Sequence, residues 1–156
     1  MIEIKRFHDT DATETAEMIA TTLKISNSRD YSEQFIEDNI KSHNAASLIQ
    51  RAKKGHFFVA RDKEKIVGCG GITGYWGSLT ESFIMTVFVL PDYQKLGIGK
   101  KIIRTIENDE FFKRAERIEI AASITACDFY KKLGYTNKDA TPTVDEYGTI
   151  RLEKFR

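Results

Sequence analysis

Two glycines that follow an apolar run mark the segment of this chain best suited to chemistry. Residues 89–100, VLPDYQKLGIGK, pass from that run through a loop with Gly97 and Gly99 into a helical pattern. Glycine lets a backbone approach a ligand closely, and the free N–H groups of a first helical turn attract anions. Lys95 and Lys100 add positive charge. The segment predicts a cradle for phosphate or pyrophosphate, although an ordinary strand-to-helix turn fits the same pattern.

The two common nucleotide-phosphate motifs do not fit this segment. A P-loop would need a glycine in place of Gln94 and a serine or threonine in place of Lys101. The dinucleotide fingerprint would need a third glycine in place of Ile102, and the glycines at 68–70 fail in the same way because Thr73 occupies that third position. A nucleotide-binding domain of another kind would rest on the cradle alone.

A second segment, ACDFYKKLGY at residues 126–135, places Phe129 and Tyr130 on a helix that a glycine ends. By themselves the two rings are typical of the apolar face of a core helix. Together, however, the two segments resemble the GCN5-related N-acetyltransferase (GNAT) family. QKLGIG at residues 94–99 matches the family's Q/R-x-x-G-x-G/A loop, and the second segment is close to its A-x-x-F-Y-x-K-x-G-F pattern. The resemblance covers about residues 57–135, with the intervening helix and strand in the family's order.

This resemblance implies a cofactor, acetyl-CoA, and a reaction, direct attack of a primary amine on the acetyl thioester in a ternary complex. In GNAT enzymes the loop backbone wraps the pyrophosphate, the preceding strand pairs with the pantetheine arm, and a strand N–H group polarises the acetyl carbonyl. Here that donor would be the N–H group near Val87 or Phe88. The implied cofactor-binding residues are Val87, Phe88, Val89, Leu90, Gln94, Lys95, Leu96, Gly97, Ile98, Gly99, Lys100, Ser123 and Ala126.

Tyr130 occupies the family's position for the group that donates a proton to the departing thiolate. A free thiol has a pKa of about 8.5 and a tyrosine of about 10, so this transfer is mildly uphill and needs direct contact. Ser123 stands where many members of the family have asparagine. Its shorter hydroxyl group predicts a weaker or water-mediated hydrogen bond to the pantetheine arm.

A general base is also required, because amines are protonated at neutral pH. Glu81, just before a buried strand, is the first candidate, acting directly or through water, but a solvated carboxylate at a strand end fits that position equally. His43 and His56 are weaker candidates, since lone histidines at the ends of elements are usually ordinary surface residues. No metal site is predicted, because the histidines share no ligand spacing with either cysteine.

The acceptor amine is not identified by the sequence. Residues 68–77 hold half of the ten glycines together with Tyr75 and Trp76, and they could line an acceptor groove. Acidic and aromatic side chains there would suit a cationic amine, whereas a mobile hairpin loop would explain the glycines equally well. The residues of the first inter-helix region that could complete the groove are Tyr31, Glu33 and Asp38.

Strands and helices that would position these residues are predicted from the spacing of apolar residues, which changes between a two-residue and a helical period along the chain. The predicted strands are residues 2–7, 56–61, 65–73, 82–90 and 117–122, with closing strands from 135 and over 148–155. The predicted helices lie around residues 11–23, 35–40, 48–52, 97–110 and 125–133, with Gly55 and Gly134 as helix-ending glycines. The pattern predicts an α+β (mixed α/β) fold. The resemblance implies a single GNAT-like domain over residues 1–156, with a central, mostly antiparallel twisted sheet flanked by helices.

The charge and hydropathy of the sequence limit the classes of partner and the location expected for this protein. The 24 basic and 23 acidic residues leave a net charge of +1, so no overall field attracts nucleic acid or an acidic membrane. The apolar run at residues 83–90 is too short to span a bilayer, and the N-terminus lacks the apolar core of a signal peptide. The two cysteines are then expected to be reduced in the cytoplasm. The predicted protein is a cytoplasmic monomer or homodimer, and the alternative to an enzyme is a catalytically silent acyl-CoA-binding module of the same fold.

Overall fold

The computed structural model describes residues 1–156 and contains one seven-stranded sheet in the order β1-β2-β3-β4-β5-β7-β6. Only the β4–β5 pair is parallel, and the other neighbouring strands are antiparallel. The predicted mixed fold with a mostly antiparallel sheet is therefore confirmed. The strands are β1 (Ile2–Arg6), β2 (Gly55–Asp62), β3 (Lys65–Gly74), β4 (Glu81–Val89), β5 (Arg117–Ser123), β6 (Thr136–Asn137) and β7 (Thr149–Phe155).

Helices cover both faces of this sheet and form two hydrophobic clusters with it. One cluster joins the sheet to apolar residues of α1, α2 and α3, and the other joins it to α4, α5 and α6. No helix combines the length and the apolar character needed to cross a bilayer. The helices are α1 (Ala12–Ser26), α2 (Glu33–Ser42), α3 (Ala45–Lys54), α4 (Ile98–Glu107), α5 (Glu110–Lys113) and α6 (Cys127–Lys132).

Two sequence predictions, one about the glycine-rich stretch 68–77 and one about the end of α4, need correction. Most of the glycine-rich stretch 68–77 belongs to β3 and is not a loop. A Cβ atom at Gly70 would lie 2.6 Å from Ile102, so glycine there lets α4 pack closely on the sheet. Gly55 ends α3 as predicted, with an extended φ of −164°, and begins β2. The predicted helix 97–110 ends at residue 107, because the Asp109 carboxylate caps α5 by accepting a hydrogen bond from an N–H group.

The prediction that residues 82–90 are buried on both faces is wrong for the second half of β4. Only Ser82 and Ile84 in that strand are fully buried. The parallel ladder with β5 runs from Glu81 opposite Arg117 to Ile84 opposite Ile120 and then stops. Beyond that point the two strands carry no ladder. The rest of β4 is partly exposed because it borders a cleft instead of a neighbouring strand.

Candidate active site

The cleft between β4 and β5, here called the wedge, begins where the parallel ladder ends and is bordered by residues 85–89 and 121–123. On its other edge β4 pairs with β3, but the register shifts between Cys69 and Gly71. Thr86 and Val87 therefore lie opposite the single residue Gly70, and Thr86 takes a left-handed conformation with φ +57°. Such a bulge leaves one residue of the strand without a ladder partner. The wedge is thus bordered by backbone whose hydrogen bonding is incomplete.

A cavity of about 430 Å³ lies between the wedge and the loop that precedes α4. All the predicted cofactor-binding residues line it except Leu90, Leu96 and Ile98. The N–H group of Leu90 bonds to the carbonyl of Val67, the Leu96 side chain is exposed, and Ile98 is buried in the core under α4. The structure therefore brings together, on one cavity, two segments that are separate in the sequence.

The backbone of the loop before α4 has a run of unused donors. The N–H groups of residues 95–100 have no backbone acceptor, and the first helical bond is from Lys101 to the Gly97 carbonyl, at 3.0 Å. Left-handed conformations at Lys95 (φ +66°) and Gly97 (φ +82°) shape the loop. The Gln94 Nε2 atom anchors the loop by donating to the Val89 carbonyl at 2.8 Å. Consecutive free donors at a helix N-terminus form an anion site.

Tyr130 of α6 lines the cavity beside the wedge. It is 4% exposed, and its hydroxyl group hydrogen-bonds to no other group of the protein. Burial raises the pKa of Tyr130 above its usual value, so the hydroxyl keeps its proton at neutral pH. Ser123, at the end of β5, accepts a hydrogen bond on its Oγ from the N–H group of Ala126 at 3.1 Å. A proton donor and a short polar side chain thus adjoin the first cavity.

A second cavity, of about 350 Å³, opens on the other side of the wedge. It is bounded by α2, by the end of α3 and by the start of β7. The Tyr31 hydroxyl ties these parts together, since it donates to the Gly148 carbonyl at 2.5 Å and accepts from the Ile124 N–H group at 2.8 Å. The residues that line both cavities are Asn27, Val87, Phe88, Ser123, Ala126 and Tyr130.

The charges that line the two cavities are all of one sign. Neither cavity is lined by an aspartate or a glutamate, whereas Lys95 and Lys100 line the first and Arg51 lines the second. The Arg51 guanidinium donates to the Thr86 hydroxyl at 2.9 Å and to the Ser42 carbonyl at 3.2 Å, and it contacts no carboxylate. Burial lowers the pKa of Arg51. The cleft is therefore adapted to anionic and neutral ligand groups.

His43 is the one histidine that lines the cleft. Its Nδ1 atom lies 2.7 Å from the Asn39 carbonyl oxygen, which can only accept, so Nδ1 carries the hydrogen and Nε2 keeps a free lone pair. The ring is edge-on to Phe88 with 5.4 Å between centroids. Burial and the positive charge of Arg51 lower the pKa of His43 to about 4. His43 is consequently a neutral acceptor in the second cavity at neutral pH.

A model of the acetyltransferase (GNAT) domain matches residues 53–137, more than half of the chain. The chain belongs to the GNAT acetyltransferase family. GNAT enzymes use acetyl-CoA, so the predicted family and its cofactor are confirmed. No curated protein matches the sequence significantly.

Solved structures resemble this GNAT domain over its whole length. The PaiA N-acetyltransferase from Thermoplasma acidophilum, in complex with coenzyme A, is 20% identical with a TM-score of 0.85, covering 100% of this chain and 99% of that one. A GCN5-related N-acetyltransferase from Rhodopseudomonas palustris is 21% identical with a TM-score of 0.81, covering 99% and 95%. A GNAT-family acetyltransferase from Staphylococcus aureus Mu50 is 18% identical with a TM-score of 0.75, covering 99% of each chain. At these identities the likeness concerns the fold.

Several residues that the sequence suggests for the acceptor side of this GNAT domain lie elsewhere. Tyr75 and Trp76 line a separate cavity of about 590 Å³ near the start of β4 and neither of the two cavities at the wedge, so the acceptor groove along residues 68–77 stays a prediction. Of the residues suggested to complete that groove, only Tyr31 lines the second cavity, whereas Glu33 and Asp38 are on the exposed face of α2. Helix geometry explains the difference, since α2 turns its apolar face toward the protein.

The two other predicted base candidates are also outside the wedge. Glu81 lies at the closed end of β4, 3.0 Å from Arg117, and lines neither cavity. His56 lies in β2, with its Nδ1 atom 2.7 Å from the Asp109 carboxylate. Sequence reasoning missed Arg51 as a site residue. Its neighbourhood, RAKK, has the composition of an ordinary solvated helix end, and only the missing carboxylate in the fold distinguishes it.

Proposed function

We propose that this protein is an acetyl-CoA-dependent N-acetyltransferase that moves the acetyl group directly to a primary amine in a ternary complex, and that residues 1–156 form its single catalytic domain. The observation that carries the proposal is the wedge. Two cavities meet there at Val87, Phe88 and Tyr130, one lined by a cradle of free N–H groups and the other by groups suited to an acceptor. Two ligands, one bound in each cavity, could therefore react while both are bound to the protein.

The residues present fit acetyl-CoA. The free N–H groups of residues 95–100, with Lys95 and Lys100, would hold the pyrophosphate. The edge of β4 at residues 87–89, which β5 leaves unpaired, would take the pantetheine amides as a neighbouring strand would. Ser123 offers one hydroxyl group to the same arm. When bound there, acetyl-CoA supplies an activated acetyl thioester to an amine in the second cavity.

Groups of the protein would then stabilise the negative charge that develops on the acetyl carbonyl oxygen and supply a proton to the leaving thiolate. An N–H group of the bulge near Val87 or Phe88 would donate to the carbonyl oxygen as negative charge develops on it. The Tyr130 hydroxyl, which is protonated at neutral pH, would hydrogen-bond to the leaving thiolate and donate its proton to it. Because burial raises the Tyr130 pKa, this transfer is more uphill than from a free tyrosine and needs direct contact. Because this hydroxyl has no partner in the protein, no internal hydrogen bond must break before it acts.

The attacking nitrogen must also lose a proton, because it becomes acidic as its lone pair enters the new C–N bond. His43 is the group we propose for this role, since its Nε2 lone pair is free in the acceptor cavity. A base with a pKa of about 4 does not collect the proton from an ammonium ion beforehand. His43 can instead accept a proton from an amine that binds in its neutral form, in a cleft that no carboxylate lines. Glu81, held by Arg117, would have to act through intervening water.

Calorimetric titration with acetyl-CoA, ATP and NAD tests the cofactor assignment. A Cβ atom at Gly99 would lie 3.0 Å from the Phe129 ring, so Gly99→Trp would fill the cradle. Glu37→Trp, on the exposed face of α2, is the matched control. We expect the wild type and the control to bind acetyl-CoA, and Gly99→Trp to lose binding while staying folded by circular dichroism. Binding of ATP or NAD in preference to acetyl-CoA would contradict the proposal.

A transfer assay separates the enzyme from a silent acyl-CoA-binding module. The wild type is incubated with acetyl-CoA and a panel of small primary amines, and the release of free CoA thiol is followed. Amine-dependent release that Gly99→Trp lacks supports the enzyme. Tight acetyl-CoA binding without release for any amine would favour the silent module.

A further inference from the structure

Arg51 differs from the other partly buried arginines of this protein. Arg61, Arg117 and Arg151 each lie 2.5–2.9 Å from a carboxylate oxygen. The Arg51 guanidinium has only two neutral oxygen acceptors, the Thr86 hydroxyl and a backbone carbonyl. A guanidinium group has five N–H donors, so donors remain for a ligand in the cavity that Arg51 lines.

Fold stability does not explain an unpaired guanidinium in this place. Partial burial of a charge without a counter-ion is costly, and proteins normally supply the opposite charge nearby. Neither the second cavity nor the first is lined by a carboxylate that could do so. The missing negative charge is therefore best supplied from outside the chain.

The position of Arg51 indicates which ligand would carry that charge. Thr86, which holds the guanidinium, directly precedes Val87, where the two cavities meet. Consecutive Cα atoms are about 3.8 Å apart, so a group bound to Arg51 would lie close to the site of acetyl transfer. An anion bound there would share the cavity with the attacked amine. The rest of the cavity is largely apolar, with Phe35, Met85 and Tyr147 among its lining residues.

Carboxylate is the anion that this geometry favours. The planar guanidinium matches a carboxylate with two parallel hydrogen bonds. A cavity of about 350 Å³ suits a molecule of amino-acid size. A polycationic amine, in contrast, would find no acidic side chain on the lining and would be repelled by Arg51.

We propose that the acceptor is a small amine that also carries a carboxylate, and that Arg51 binds this carboxylate while the amine faces Val87 and Tyr130. The inference rests on the proposed acetyl transfer and narrows its substrate class. It makes Arg51 the residue that selects acceptors by charge.

Matched acceptors test this charge selection. Phenylalanine, leucine and 4-aminobutyrate are each compared with the corresponding amide, which keeps the amine and removes the negative charge. The proteins are the wild type, Arg51→Met, Arg51→Lys and Lys53→Met. Lys53 is an exposed cation two residues along the same helix, so its variant controls for a general change of charge. Values of kcat/KM are measured at saturating acetyl-CoA, and calorimetry on the CoA complex measures acceptor binding independently of turnover.

We expect the wild type and Lys53→Met to prefer at least one carboxylate acceptor over its amide by about 10- to 100-fold, the range for hydrogen bonds to a charged group. Arg51→Met should lose that preference, so that its kcat/KM ratio of carboxylate to amide falls to about one, and Arg51→Lys should keep part of it. Equal or better use of the amides by the wild type would overturn the proposal. So would an unchanged preference in Arg51→Met, or the absence of both turnover and binding for every carboxylate. Turnover of amides with normal acetyl-CoA binding would leave the proposed function intact, whereas loss of acetyl-CoA binding would overturn that function itself.

Discussion

The two ends of the contact between β4 and β5 satisfy their polar groups in opposite ways. At the closed end the Glu119 carboxylate is fully buried, and Arg117, Lys138 and Arg151 each lie 2.9 Å from it. The wedge begins a few residues further along the same two strands. Arg51 of α3, which lines the second cavity there, has no carboxylate partner. The hydroxyl of Tyr130 and the N–H groups of the cradle have no partner within the protein either.

Ligand contacts in this fold are expected at the end where polar groups lack partners. Most buried polar groups in proteins have partners, so a cluster of unused donors in a cleft requires an explanation. The ion-pair network at the closed end stabilises the strand pair, whereas β4 and β5 form no backbone ladder along the wedge. The separation of the strands frees the edge of β4 for a ligand. One sheet thereby supplies rigidity at one end and a binding cleft at the other.

Two tyrosines, one inside the wedge and one outside it, give the test with the largest expected effect. Tyr130 has a free hydroxyl, whereas the Tyr135 hydroxyl donates to the Glu107 carboxylate at 3.2 Å. We expect Tyr130→Phe to lower kcat by about 10²- to 10⁴-fold, the usual contribution of a positioned proton donor, with unchanged acetyl-CoA affinity. Tyr135→Phe should keep kcat within about threefold and instead lose about 1 kcal/mol of unfolding free energy.

Steady-state kinetics, calorimetry and urea unfolding of the two variants make this comparison. The proton-donor role would be refuted by wild-type kcat in Tyr130→Phe. Joint loss of turnover and acetyl-CoA affinity would instead indicate a packing role for the ring.

The sequence was sufficient for the fold class, the cradle and the aromatic segment. These features depend on local signals, such as a glycine where φ must be +82° at residue 97 and the helical spacing of Ile98, Ile102 and Ile106. The sequence could predict residues that share one cavity because most of them belong to two short segments. The prediction failed where a local signal had another cause, as at Gly70, where the packing of α4 requires the glycine.

The lining of the second cavity, which we propose as the acceptor side, could not be predicted in the same way. Arg51, His43 and Tyr31 come from three different parts of the helical region, and the topology alone brings them to one cavity. The decisive property of Arg51 is the absence of a counter-ion, which a linear pattern does not contain. Glu81 illustrates the converse, since its partner Arg117 is 36 residues away and reaches it only through the parallel β4–β5 pairing.

The same substitution in two arginines should then change stability by different amounts. Arg117→Met leaves Glu119 buried with one partner fewer and also removes the contacts to Glu81 and Glu153. We expect it to lose about 3 kcal/mol of unfolding free energy, as when one partner of a buried ion pair is removed. Arg51→Met should change stability by less than about 1 kcal/mol, because two hydrogen bonds are lost but the cost of partly burying an unpaired charge is also removed.

Urea unfolding at pH 7, with each variant compared to the wild type, measures both changes. Equal losses for the two variants would mean that Arg51 is as well compensated as Arg117. That result would remove the distinction between the wedge and the closed end on which the acceptor assignment depends.

A smaller effect is expected from the pH dependence of stability. The pKa of His43 is about 4 in the folded protein, lowered by burial and by Arg51, against about 6.5 in an unfolded chain. The unfolded protein therefore binds this proton first as the pH falls, and the contribution of His43 is complete above pH 6.5 and declines toward pH 4. At pH 4.5 the decline amounts to at most about 2.5 kcal/mol.

The matched histidine variants isolate this contribution. Between pH 7 and 4.5 His43→Gln should lose less unfolding free energy than the wild type, whereas His56→Gln, outside the wedge, should keep the full decline that His43 causes. Carboxylates whose pKa is lowered by cationic partners, such as Glu119, weaken the fold in acid in all three proteins and cancel in the comparison. Urea unfolding at the two pH values supplies the difference. Parallel declines in the wild type and His43→Gln would show that His43 is solvated, and the neutral acceptor in the second cavity would then have to be another group.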